Sequence, residues 1–199
     1  MTKYKKGLSI KDLVTIGVFS AIYLVFFLAG GMPFAINPVL TFYMPLGCAL
    51  LCGPIFLLLV AKVHKRYTIT ILSLLMACIV FITGMHPAFS IGFIVMGIVA
   101  EIVAGTKSYQ SKKMNSLSYI LLSLASTGSY LVFFANPEAW AATMLQSGTE
   151  QSYITTMNAN ASPTILIIML VGTVLCAALS SFIGCKMLKK QFEKSGIIH

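Results

Sequence analysis

Six apolar runs, each near or above the length needed to cross hydrocarbon, fill most of this chain, and the basic residues occur only in alternate gaps between them. A helix that crosses a bilayer needs about 20 predominantly apolar residues, because in lipid the backbone must satisfy its own polar groups. The runs lie near 12–30, 39–61, 68–84, 88–105, 116–135 and 163–187. They predict an all-α integral membrane bundle of six transmembrane helices forming a single domain over residues 1–199. A soluble alternative lacks material for its surface: 58% of the chain is hydrophobic and 10% charged, with a mean hydropathy of +0.91. The basic start followed by the run Leu13 to Ala29 resembles a signal peptide, but the run is too long for one and further spans follow, so it reads as a retained first helix.

Basic residues favour the cytoplasmic side of short loops. Lys3, Lys5, Lys6 and Lys11 precede the first run, Lys62, Lys65 and Arg66 follow the second, Lys107, Lys112 and Lys113 follow the fourth, and Lys186, Lys189, Lys190 and Lys194 follow the sixth. Both termini are therefore expected in the cytoplasm, with a membrane location and the lipid bilayer as surroundings. The formal charge of +9 is a topology signal. It does not mark a nucleic-acid partner, because the basic loops lack interleaved aromatics and sit beside spans.

Several chemistries are missing from the sequence. There is no GxxxxGK[ST] loop for ATP, no HExxH pair, no GxSxG elbow and no cluster of intramembrane acids. The chain is accordingly not expected to be an enzyme, and uphill transport would need energy from a partner. Cys48, Cys52, Cys78, Cys176 and Cys185 fall inside apolar runs without zinc-site spacing, so they read as free thiols, and neither a metal site nor a cofactor is expected.

The opposite side holds "GGMPFAINP", "GMHP" and a long segment over 136–162 expected to act as a lid. Within that segment "NPEAW" offers asparagine as a cap, proline at the first helical position and an acid in the first turn, which predicts a helix from Pro137 to about Gln146. The remainder, "SGTEQSYITTMNANASP", reads as a polar binding loop. A small-molecule site needs an apolar pocket with a few convergent polar groups. Asn37, Tyr43, His86, Ser90, Asn136, Glu138, Trp140 and Asn158 are the candidates, although outer loops are polar in any case and Trp140 could be an interfacial anchor. His86 is either punctuation between two spans or a ligand contact, with iron ligation beside Met85 a narrower possibility. On the basic side Glu101, one turn from the end of its run, reads as a contact for a cytoplasmic partner or as a carboxylate paired with Lys62 or Lys107. Small-residue ladders at Gly172, Cys176, Ser180 and Gly184, at Ala100 and Ala104, and at Gly17 and Ala21 allow close helix approach. For the first two ladders that means internal packing. For Gly17 and Ala21 docking to another membrane protein is the rival.

Six spans, both ends inside, no ATPase and a polar outer lid resemble the substrate-binding S components of energy-coupling factor (ECF) transporters. The stretches "LSIKDLVTIGVFSAIYLVFF", "FYMPLGCALLCGPIFLLLVAKVHKRYTITIL", "ITGMHPAF" and "MGIVAEIVAG" are similar to the MptD, or Trep_Strep, group. The resemblance implies a subunit of an ABC-type importer that captures a vitamin-like or other micronutrient small molecule outside. It would then join a scaffold transmembrane subunit and two cytoplasmic ATPases. It also implies a site built from the first outer loop and the outer parts of later helices. Many S components dock through an AxxxA motif on the first helix, where this chain has Gly17 to Ala21 instead, and Glu101 is the third docking candidate. A scaffold or channel-like protein without a small-molecule ligand is the alternative function, and haem the alternative substrate.

Overall fold

The computed structural model describes residues 7–194, with side chains to Leu188. Lys3, Lys5, Lys6, Lys189, Lys190 and Lys194 lie outside the residues or side chains so described. Nine helices, and no strands, are present among the described residues: α1 Ile10–Ala35, α2 Met44–Lys62, α3 Thr68–Ile82, α4 Pro87–Gly105, α5 Lys112–Ser123, α6 Gly128–Ala135, α7 Pro137–Gln146, α8 Gln151–Asn160 and α9 Pro163–Lys194. Among the described residues five stretches are long and apolar enough to cross a membrane: Ile10–Ala35, Thr41–Lys62, Pro87–Gly105, Lys112–Ala135 and Pro163–Leu188. The segment expected as a third span over 68–84 is shorter. At 15 residues α3 is about 22 Å long, against a hydrocarbon core of about 30 Å.

The central element is α2, which packs against α1, α5 and α9. Two features of its sequence make those contacts close. Gly47 meets Gly30 of α1 backbone to backbone, so closely that a Cβ on Gly47 would stand 2.0 Å from the Gly30 carbonyl oxygen. Further along, Pro54 has no N–H, which deprives the Leu50 carbonyl of its helical donor. The Ser180 hydroxyl of α9 donates to that carbonyl at 2.6 Å and accepts from the Gly53 N–H at 3.1 Å. Tyr119 of α5 donates to the Ala49 carbonyl at 2.6 Å. In hydrocarbon a proline inside a helix is tolerated when neighbouring helices satisfy the freed groups in this way. The ladder on the last run is thus packing surface: Gly172 faces Leu46, Ser180 faces Gly53 and Gly184 faces Pro54 and Leu57. Ala100 and Ala104 are likewise fully buried.

The stretch Lys112–Ala135 is broken. Between α5 and α6 the chain tightens into a 3-10 turn at Leu124–Thr127, where the hydroxyls of Ser123, Ser126 and Thr127 each donate to the carbonyl three residues back at 2.7 to 2.8 Å. Gly128 then lets α6 approach the Ala88 carbonyl of α4. The cysteines hold no disulfide: Cys48 and Cys52 are buried and Cys78 is exposed.

At the basic end, the Lys65 ammonium pairs with the Asp12 carboxylate at 2.6 Å, joining the start of α1 to the α2–α3 turn. Asp12 also forms a capping box with Ser9. Glu101 is turned inward, not toward Lys62 or Lys107. Its carboxylate accepts from the N–H groups of Tyr67 at 2.8 Å, Ile69 at 2.8 Å and Thr70 at 3.0 Å, and from the Tyr109 hydroxyl. The reason is local. Tyr67 precedes α3 in a left-handed conformation with φ of 74° and has no capping side chain, so the carboxylate of α4 caps α3 from across the hairpin.

Candidate functional site

At the end away from the lysines, α7 and α8 lie in sequence between α6 and α9 and close over the bundle. The start of α7 forms as its residues dictate: the Asn136 side chain accepts from the Ala139 N–H at 3.0 Å, Pro137 opens the helix and Glu138 sits in the first turn. Its only buried side chain is Trp140, 4% exposed. The indole N–H donates to the Ser129 hydroxyl of α6 at 2.9 Å, and the ring packs edge-on against Phe133 with centroids 5.2 Å apart. Trp140 is therefore anchored in protein, not at the lipid interface.

The other face of that contact is His86. Its ring stacks on Trp140 at 12° with centroids 6.2 Å apart, while its Nδ1 accepts from the Ala88 N–H at 3.2 Å and caps α4. One side chain thus both caps α4 and carries the ring contact with Trp140. Accepting at Nδ1 requires the neutral ring with its proton on Nε2, and burial pushes the pKa of His86 below the ordinary histidine value. One turn along α4, Ser90 is buried and its hydroxyl has no hydrogen-bond partner, an uncommon condition for an interior polar atom.

The segment after α7 departs from expectation. Residues read as a polar loop form α8, which buries Ile154 and Met157, three apart, against the bundle. The Tyr153 hydroxyl donates to the Ala35 carbonyl at 2.8 Å, fastening α8 to the end of α1. The signal was present as Tyr153, Ile154 and Met157 at helical spacing, hidden by the polar residues around them.

The remaining candidates are spread around this closure. Asn37 is exposed and its side chain accepts from the Val39 N–H at 2.8 Å, an Asx turn that shapes the first outer loop. Tyr43 is half-buried in the 3-10 turn before α2, and its neighbour Thr41 shares a 3.1 Å hydrogen bond with Tyr130 of α6. Asn136, Glu138 and Asn158 face solvent. Sequence reasoning missed Ser129 and Phe133, which hold Trp140, and also Tyr130 and Phe42, the Phe42 ring packing against Tyr130, Phe133 and Phe134. Beneath this aromatic layer a void of about 10 Å³ lies among Tyr23, Phe27, Cys48, Phe93, Tyr119 and Ser126. That is at most the room of one water molecule.

On the first helix Gly17 and Ala21 face outward, and among the described residues no atom from another element stands within 4 Å of where a Gly17 Cβ would be. Among the described residues no cluster of three or more His, Cys, Asp or Glu side chains is arranged to hold a metal.

Residues 10–194 match the model of a family described as hypothetical bacterial integral membrane protein (Trep_Strep). No curated protein matches the chain, and no solved structure does.

Proposed function

The chain belongs to the Trep_Strep family, and on that premise we propose that it is the substrate-binding S component of an ECF-type importer, a multi-pass membrane protein with cytoplasmic termini. In this reading it binds a small-molecule micronutrient outside and does no covalent chemistry. The observation that carries the proposal is the closure at the end remote from the lysines. One helix, α7, presents a single buried side chain, Trp140, and that side chain rests on His86 of the α3–α4 turn. An aromatic side chain resting on a histidine, with an unpaired interior serine one turn further along α4, suits a capture site, because it offers polar groups that a ligand can satisfy better than the protein does.

Lifting α7 would expose His86, Trp140 and Ser90 together, with Asn37 and Tyr43 on the first outer loop, Asn136 and Glu138 at the base of the lid, and Asn158 on α8 around the rim. The absence of lysine and arginine from this end favours a neutral or amphipathic ligand over an anion held by side-chain charge. A membrane scaffold subunit would meet the outward face of α1 at Gly17 and Ala21, with two cytoplasmic ATPases supplying the energy.

Native mass spectrometry of the detergent-purified chain tests the reading, with ligand release from wild type and His86→Ala. A defined small molecule that co-purifies with wild type, or is captured from nutrient extract, and is weakened in the variant supports an S component with His86 in its site. No ligand under either condition overturns the reading in favour of a scaffold or channel-like protein.

A further inference from the structure

The basic end of the bundle carries a second concave feature, unrelated to the lid. An open groove of about 380 Å³ runs between the first turns of α1 and the last turn of α2, lined chiefly by Lys11, Asp12, Val14, Val18, Phe19 and Lys62. Its charge is unbalanced. Asp12 is already taken by Lys65 at 2.6 Å and by the Ser9 hydroxyl at 2.6 Å, whereas Lys11 and Lys62 make no ion pair among the described residues. The Thr15 hydroxyl donates to the Lys11 carbonyl and so presents an acceptor only. His64, which follows Val63 of the groove wall in the α2–α3 turn, is exposed, and its pKa is lowered by partial burial.

The polarity of the groove is ordered along the axis of α1. Lys11 is the second residue of α1 and Lys62 the last of α2, so both ammonium groups stand at the polar edge. Val14 and Val18 follow at about 5 and 10 Å deeper along α1, and are 61% and 53% exposed. Two cations above an apolar wall that opens toward lipid match an anionic headgroup followed by an acyl chain. A free phosphate would use the cations and leave the wall in water. We propose that this groove binds the headgroup of an anionic phospholipid from the leaflet that meets the basic end, and that the first part of an acyl chain lies on Val14 and Val18.

The test uses the full chain in nanodiscs of equal parts phosphatidylglycerol and phosphatidylcholine, with lipid adducts read by native mass spectrometry. Wild type should retain phosphatidylglycerol preferentially. Each of Lys11→Gln and Lys62→Gln should lower that preference about fivefold and the pair about thirtyfold, on the scale of one surface cation per anionic lipid. Lys107→Gln with Lys112→Gln, at the same end but outside the groove, should leave it unchanged. Equal losses in this control pair, or no loss in the groove pair, overturns the assignment. So does displacement of the lipid by glycerol 3-phosphate or inorganic phosphate, which would make the groove a site for a soluble anion. None of these readings depends on whether the outer end binds a substrate.

Discussion

Ser180 of α9 completes the hydrogen bonding that Pro54 removes from α2: one hydroxyl, two bonds, to the Leu50 carbonyl and from the Gly53 N–H. The arrangement works only because residue 53 is glycine. A Cβ there would stand 2.4 Å from the Ser180 Oγ. Ser180→Ala leaves the Leu50 carbonyl short of a donor and should cost about 1–2 kcal/mol in unfolding of the detergent-solubilised protein. Gly53→Ala should cost more by steric collision, and Ser180→Gly in the same chain should recover part of that loss. If the two substitutions prove additive, the close approach is not the cause.

Glu101 serves three backbone N–H groups of the turn into α3 and the Tyr109 hydroxyl. Glu101→Ala strands those donors and should destabilise the protein by about 3 kcal/mol, with Glu101→Gln intermediate because one amide oxygen still accepts. Amide exchange at residues 67–70 should accelerate in both variants ahead of the rest of α3. Unchanged exchange there would refute the cross-hairpin cap.

Trp140 is the only tryptophan in the chain, so intrinsic fluorescence reports on the lid directly. Emission should be that of a buried indole and should move to the red in Ser129→Ala, which removes the hydroxyl that accepts the indole N–H. An emission maximum typical of water in wild type would contradict the closure.

His86 makes this contact sensitive to acid. Burial lowers its pKa, so between the folded and unfolded values the unfolded chain binds more protons. The stabilisation is therefore complete above about pH 6.5 and is lost as pH falls through the lower folded value, where protonated Nδ1 can no longer accept from Ala88. Trp140 emission should shift red over that window in wild type and stay flat in His86→Ala. Reading the tryptophan separates this response from His64, whose pKa is also lowered by partial burial.

The Tyr153 hydroxyl ties α8 to the last residue of α1. Tyr153→Phe should raise amide exchange across residues 151–160 by about fivefold while leaving α2 and α9 protected, the share of one neutral hydrogen bond of about 1 kcal/mol. Exchange that rises equally throughout would mean general destabilisation instead.

Apolar run length was enough to locate the long helices, and alternate basic gaps grouped Lys11, Lys62, Lys65, Lys107 and Lys112 at one end, where the Asp12–Lys65 pair and the Glu101 bonds indeed bring three loops together. The cap, proline and acid of "NPEAW" announced α7 because helix starts are encoded within a few residues. What could not be read was set by tertiary neighbours. Glu101 looked toward lysines by sequence distance, but the unpaired N–H groups at α3 are nearer in the fold. The segment holding α8 looked like loop because only its inner face is apolar. Trp140 and His86 each stood out as residues, yet their contact spans 54 positions and depends on how α7 folds back.

The brevity of α3 has a further consequence. Its exposed apolar side chains, Phe81 and Ile82 among them, end well short of the span that a bilayer of ordinary thickness requires, while α1 and α9 on the same bundle are amply long. Such hydrophobic mismatch makes the surrounding bilayer thin locally or the bundle tilt, at a cost of fractions of a kcal/mol per Å. Acyl-chain length thereby becomes a variable of this protein's energetics: shorter-chain lipids relieve α3 and longer-chain lipids strain the hairpin that ends in His86.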